Sequence, residues 1–118
     1  MKSPKTRCNE QWTEARFNSF IKSALRSASN RWAPKHLCIK NSRIARNTYI
    51  CFSCKKQVGH RLIKADHIEP VVDVKKGFRS WDTYIARMFV EVDAYQAVCK
   101  ACHDIKTKEE AVERKRNK

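Results

Sequence analysis

The sequence predicts an α+β fold on three observations. Apolar residues recur at helical spacing in the first third of the chain and again after residue 80, and the short runs "TYICFSC" and "YQAVC" are β-branched and aromatic. Two Cys-x-x-Cys pairs bracket the segment between those runs. With 118 residues the chain reads as one compact domain, able to bury about two-thirds of the surface of its unfolded state. Only 2 Gly and 3 Pro alongside 42% hydrophobic content argue for a folded, helix-rich chain.

Each element follows from local pattern. Trp12, Phe17, Phe20, Ile21, Ala24, Leu25 and Ala28 form an apolar stripe with Arg16, Lys22, Arg26 and Arg31 elsewhere around the wheel, predicting an amphipathic helix over 11–30. Pro34 ends it and fits the first turn of a second, strongly basic helix over about 35–46. "TYICFSC" predicts a short strand that runs into a metal-binding turn. "HRLIKADHIEPVV" predicts a strand that Pro70 disturbs near its end. After a polar loop over 73–79, Ser80 caps a short helix whose apolar face, Trp81, Tyr84, Ile85, Met88 and Phe89, packs into the core. "YQAVC" is the second strand, and "CHDIKTKEEAVERK" opens a final polar helix that frays into "RKRNK". This gives a basic helical N-terminal extension, 1–48, and a cysteine-bracketed module, 49–118.

The net charge is +14, divided as +9 in residues 1–50 and +5 in the rest. Such an excess points to a polyanion, with nucleic acid first, because each Lys or Arg that meets a phosphate releases condensed counterions. A membrane surface is disfavoured, since the basic helices lack an apolar face wide enough to insert. No run of about 18 apolar residues is present. The expected location is the cytoplasm, where thiols stay reduced and six cysteines suggest metal rather than disulfides.

Cys51, Cys54, Cys99 and Cys102 are spaced so that the two thiolates of each turn reach one ion at about 2.3 Å, and a four-thiolate tetrahedron suits zinc. The 44 intervening residues exceed the linker of a simple zinc ribbon, so the two turns bracket an inserted unit. A closed four-cysteine site leaves no open position, which makes this zinc structural. Cys8 and Cys38 fall outside the pattern and read as plain thiols.

Inside the bracketed unit, Asp66 and His67 adjoin near a predicted strand end. Together they offer a hard-metal ligand and a general base near neutral pH; the bland reading is a hydrogen-bonded surface pair. Adjacent strand residues point to opposite faces, so both serve one site only where the strand ends or bends, as Pro70 suggests. His103 follows Cys102 and is rotated by about 100° on the last helix, away from the zinc and toward that strand.

The segments "CFSC" (51–54), "DHIEPV" (66–71), "GFRSWDTYIARMF" (77–89) and "YQAVCKACHDIKT" (95–107), in this order, resemble the HNH endonucleases, the ββα-metal nucleases, and in particular their small phage-type members with a four-cysteine zinc site. The resemblance covers roughly residues 49–110. It implies a metal-dependent nuclease module that hydrolyses DNA phosphodiester bonds, by nicking or double-strand cleavage, leaving 5′-phosphate and 3′-hydroxyl ends. His67 would be the general base, and Asp66 and His103 would hold one catalytic divalent ion, Mg²⁺ or Mn²⁺. The ββα unit would comprise the strand through Asp66–His67, the strand before Cys99 and the helix that carries His103. A homodimer is one arrangement that would cut both strands of duplex DNA, and a phage origin would put the protein in the bacterial host cytoplasm. The sequence departs from the pattern at Ala94, where the family carries the Asn that braces the loop between the strands. That departure bears on loop rigidity and turnover, and it keeps a second reading in view: a non-catalytic, zinc-stabilised DNA-binding or regulatory protein. Outside the resemblance, Arg16, Lys22, Arg26, Arg31, Lys35, Lys40, Arg43 and Arg46 read as a phosphate-contacting arm for double-stranded DNA, and Lys106 and Lys108 as added sequence-independent contacts.

Overall fold

The computed structural model describes residues 3–117. They form an α+β fold with four helices and small antiparallel sheets. The chain packs as two compact units, one ending at Arg31 and the other beginning at Trp32.

In the first unit, β1 (Lys5–Arg7) pairs antiparallel with β2 (Trp12–Thr13) across a turn in which Cys8, Asn9 and Glu10 all take positive φ. α1 (Glu14–Ser29) follows, and the Thr13 hydroxyl caps it by accepting from Arg16 N at 3.1 Å. The predicted helix 11–30 therefore starts three residues late, because Trp12 and Thr13 are spent on strand pairing and capping. Glu14 in the first turn accepts from Arg7 Nε at 2.9 Å and from Thr6 Oγ1 at 2.6 Å, which pins the hairpin to the helix start.

The second unit begins with α2 (Ala33–Asn41), which has Pro34 in its first turn as expected. It ends five residues short of the predicted 46. The Ser42 hydroxyl bonds back to Ile39 O at 2.7 Å, and the chain turns into β3 (Arg43–Ala45), paired with β4 (Thr48–Ile50) across a turn with Asn47 at φ 50°. Arg43 and Arg46 thus lie on a strand and its turn rather than on a helix. β4 also pairs with the two-residue β5 (Gln57–Val58), and Cys51 and Cys54 occupy the connection between them.

A single 3-10 turn, His60–Leu62, leads into β6 (Ile63–His67), which runs antiparallel to β7 (Tyr95–Cys99) with Ile63 opposite Cys99 and His67 opposite Tyr95. This register sorts the side chains by face. Ile63, Ala65, Tyr95 and Ala97 pack with Cys38, Ile39 and Trp32 of the α2 segment and with Tyr49 and Val58, and this is the main core. Burying Ile63 there removes an aliphatic side chain from water, worth about 1.5–3 kcal/mol. Asp66 lies on the other face, under α4 (Lys100–Arg116).

Between the strands, α3 (Trp81–Met88) is capped by Ser80, whose Oγ accepts from Thr83 N at 3.1 Å. Tyr84 and Met88 of its expected apolar face are buried, whereas Ile85 is 42% exposed. Phe89 just beyond it meets Trp32 edge to face at 5.5 Å, and Trp32 Nε1 donates to Val90 O at 2.7 Å. Among the described residues no helix is long and apolar enough to cross a membrane.

Candidate functional site

The four cysteines of the two pairs meet at the junction of the β4–β5 connection with the β7–α4 corner. Four thiolates bound at about 2.3 Å to one tetrahedral ion stand about 3.8 Å apart. Here Cys54 Sγ and Cys99 Sγ are 3.8 Å apart, and all four sulfurs lie within 4.8 Å of one another, so the cluster can hold zinc. Cys51 is fully buried among Val98, Cys99 and Val58, while Cys54 sits at the surface. Burial works to raise the Cys51 pKa, but the backbone N–H groups of Cys54, Cys99 and Ser53 outweigh it and hold the thiol at about 6. Cys102, hydrogen-bonded to its neighbour Cys99 and partly desolvated, is pushed up to about 12. With thiols this close, the first negative charge opposes the next, and a divalent cation removes that conflict. The donor set and spacing fit a structural zinc.

His67, the last residue of β6, lies on the face toward α2. Its Nε2 is 2.8 Å from Met88 O, and because a carbonyl only accepts, Nε2 carries the proton. Nδ1 is then the nitrogen with the free lone pair. Tyr95, directly across the ladder, donates its hydroxyl to the same carbonyl at 3.0 Å, and its ring lies 4.7 Å from the imidazole. Burial lowers the His67 pKa, and the ammonium groups of Lys35 and Lys106 push the same way, against the Met88 carbonyl and the Asp66 charge. The ring is therefore neutral at pH 7. A cleft of about 240 Å³ opens beside it, lined in part by Glu69, Asp93 and Ala94.

Asp66 projects from the opposite face. Its Oδ2 accepts from Lys106 Nζ at 2.7 Å and from Gln96 Nε2 at 3.1 Å, Gln96 being its partner across the ladder. Lys106 Nζ also donates to the backbone carbonyl of His67 and, at 3.4 Å, to that of Ile68. One turn earlier on the same face of α4, His103 has its Nδ1 buried with no hydrogen-bond partner. A buried imidazole nitrogen without a partner carries an uncompensated desolvation cost, and His103 sits on the helix packed against β6. The strand stays regular through His67, so Asp66 and His67 do not converge as a bend at Pro70 would have made them. Among the described residues no hydrogen bond joins Asp66, His67 and His103 to one another, and none of the three belongs to a cluster of three or more His, Cys, Asp or Glu side chains able to share an ion.

Ala94 offers no side-chain brace, but its carbonyl accepts from Ile68 N at 3.0 Å, so the backbone ties the end of β6 to the start of β7. Of the expected phosphate contacts, Arg26, Arg31, Lys40, Arg43, Arg46 and Lys108 are exposed. Arg16 is exposed but lies over the Trp12 ring at 4.3 Å, and Lys22 and Lys35 are half-buried. Lys106 is engaged with Asp66 rather than free for DNA. The sequence reading missed Tyr95, Gln96 and the Met88 carbonyl: only strand register shows the first two as neighbours of the dipeptide, and a main-chain oxygen leaves no mark in the residue types. Comparison with known proteins finds no matching family model, no matching curated protein and no matching solved structure.

Proposed function

We propose that the chain is a metal-dependent DNA endonuclease of the HNH type. The observation that carries this reading is the state of His67: neutral, locked by Met88 O as the Nε2–H tautomer, with Nδ1 left as a base. An imidazole held by one nitrogen and basic at the other is what proton abstraction from an attacking water needs. Asp66 and the partnerless Nδ1 of His103 would hold Mg²⁺ or Mn²⁺, which when bound supplies Lewis-acid polarisation of the scissile phosphate and stabilises charge on the leaving 3′ oxygen. Asp66 and His67 project from opposite faces of β6, so one phosphate would reach both only around the strand end beyond His67; there His67 Nδ1 would take the proton of the attacking water, with Tyr95 and Met88 O keeping the ring from rotating. Zinc in the four-cysteine cluster would fix the start of α4, and with it His103. The exposed Arg and Lys side chains would hold duplex DNA by its phosphates.

The test is plasmid nicking by zinc-loaded protein with Mg²⁺ or Mn²⁺. Wild type should nick, and His67→Ala should lose at least about a hundredfold in rate, the usual share of a general base, with zinc content and circular dichroism unchanged. Equal nicking by the two proteins would remove His67 from the mechanism. A second reading, a non-catalytic zinc-stabilised DNA-binding protein, is favoured by Ala94 and by Lys106, whose ammonium already neutralises Asp66. It predicts DNA binding with no metal-dependent cleavage by wild type.

A further inference from the structure

We infer that Lys106 is a resident counter-cation of the Asp66 carboxylate, which a divalent ion must displace and which becomes a phosphate contact once displaced. The inference rests on the reading of Asp66 and His103 as metal ligands. Three observations support it. Lys106 Nζ sits 2.7 Å from Asp66 Oδ2 and also meets the carbonyls of His67 and Ile68, so it is held by three acceptors, as a bound cation would be. It lies on α4 one turn beyond His103, whose Nδ1 is buried with no partner, so ammonium and orphan nitrogen share one helix face. The lysine side chain is 26% exposed, and its four-carbon stem gives the ammonium an exit to solvent.

Electrostatics sets the consequence. An ammonium on Asp66 repels a divalent ion approaching the same carboxylate, and at a separation of a few Å in a partly desolvated site that repulsion is large. Binding of the ion therefore includes ejection of Lys106. Once ejected, the ammonium has Glu109 and Glu110 one turn on along α4 as competitors, and a DNA phosphate is the counter-charge the proposed substrate brings. Ion and DNA then favour each other, because each relieves the other's cost, and the coupling is reciprocal.

The experiment is Mn²⁺ binding to the zinc-loaded full chain without DNA, read by the loss of the free-ion electron paramagnetic resonance signal. Four proteins are compared: wild type, Lys106→Met, Lys106→Arg and Asp66→Asn. Lys106→Met keeps the apolar stem and should bind Mn²⁺ about tenfold tighter than wild type, within the usual range of such couplings. Lys106→Arg should stay as weak as wild type because the charge remains, and Asp66→Asn should lose the site. DNA affinity, measured by fluorescence anisotropy in a His67→Ala background so that no strand is cut, should rise with Mn²⁺ and rise less when Lys106→Met is added. If Mn²⁺ binding depends on Asp66 but is equal in wild type and Lys106→Met, the counter-cation role is wrong and the ligand reading stands. If no protein shows Asp66-dependent binding, both fall. Unchanged zinc content and thermal midpoint across the set exclude misfolding as the cause.

Discussion

A histidine oriented by a backbone carbonyl titrates differently from one oriented by a carboxylate, because the carbonyl lends the imidazolium only a dipole where a carboxylate lends a full charge. At His67 the carbonyl of Met88 cannot offset burial, and Lys35 and Lys106 add two positive neighbours, so the protonated ring is the disfavoured form. Asp66 acts in the opposite sense but is neutralised by Lys106 at 2.7 Å. The sign for activity follows. Nδ1 serves as a base only when the ring is neutral, and the pKa lies below the ordinary value of about 6.5. The acid-side decline in rate should therefore be displaced to lower pH than for an ordinary imidazole base. A divalent ion held nearby pushes the same way, since it also disfavours a cationic ring. A pH profile of kcat/KM for nicking should show an acid limb of unit slope with its midpoint under 6.5. A midpoint above 7 would mean that a carboxylate, not the Met88 carbonyl, controls the ring.

The elements divide by what holds them. β6 and β7 are held by a five-residue ladder and a core face, whereas α4 buries no residue completely and is attached at points: Cys102, Lys106, and Arg114, which donates to Val72 O at 2.9 Å. Zinc in the four-cysteine cluster would join the β4–β5 connection to the start of α4, so its removal should cost more than one surface interaction. Stripping zinc with a strong chelator at neutral pH should lower the thermal midpoint by at least about 10 °C, which for a unit of this size is about 2 kcal/mol. Metal analysis should return one zinc per chain, and superimposable melts with and without zinc would make the cluster four ordinary thiols. The helices and the two ladder strands were legible because each carries a periodic stripe, a cap or a β-branched run, as with Thr13 and Ser80 at their helix starts. The first hairpin was not, because its turn puts Cys8, Asn9 and Glu10 in the left-handed region without a glycine, so no local signal marks it. The overrun of the second helix has a similar source: "RIA" suits helix or strand, and pairing with β4 decides it. At the site, Asp66, His67 and His103 could be singled out as candidates from their residue types alone. Their placement on two faces, the grip of Lys106 on Asp66 and the carbonyl that orients His67 depend on register and on a helix end 21 residues away, which residue types do not encode.

For the whole molecule the governing quantity is the charge of +14, spread over both units and largely exposed. Neutralising this charge by phosphates releases about 0.9 counterion per contact on duplex DNA, so affinity should fall linearly on a log–log plot against salt. Six to ten contacts would cost about 10³–10⁵ in affinity between 50 and 200 mM salt. Arg46, in the turn after β3, and Lys108, on α4, are both exposed on the unit that carries His67. If each meets one phosphate, Arg46→Ala and Lys108→Ala should each reduce the magnitude of the slope by about one and weaken binding to unrelated duplexes equally. A residue that reads a base edge would instead lose affinity for one duplex and not another. Fluorescence anisotropy with two duplexes of different sequence, across a salt series, separates these outcomes. A flat salt dependence would leave the zinc cluster and the Asp66–Lys106 pair intact while removing DNA as the partner, because a polyanion cannot bind so basic a protein without displacing its own counterions.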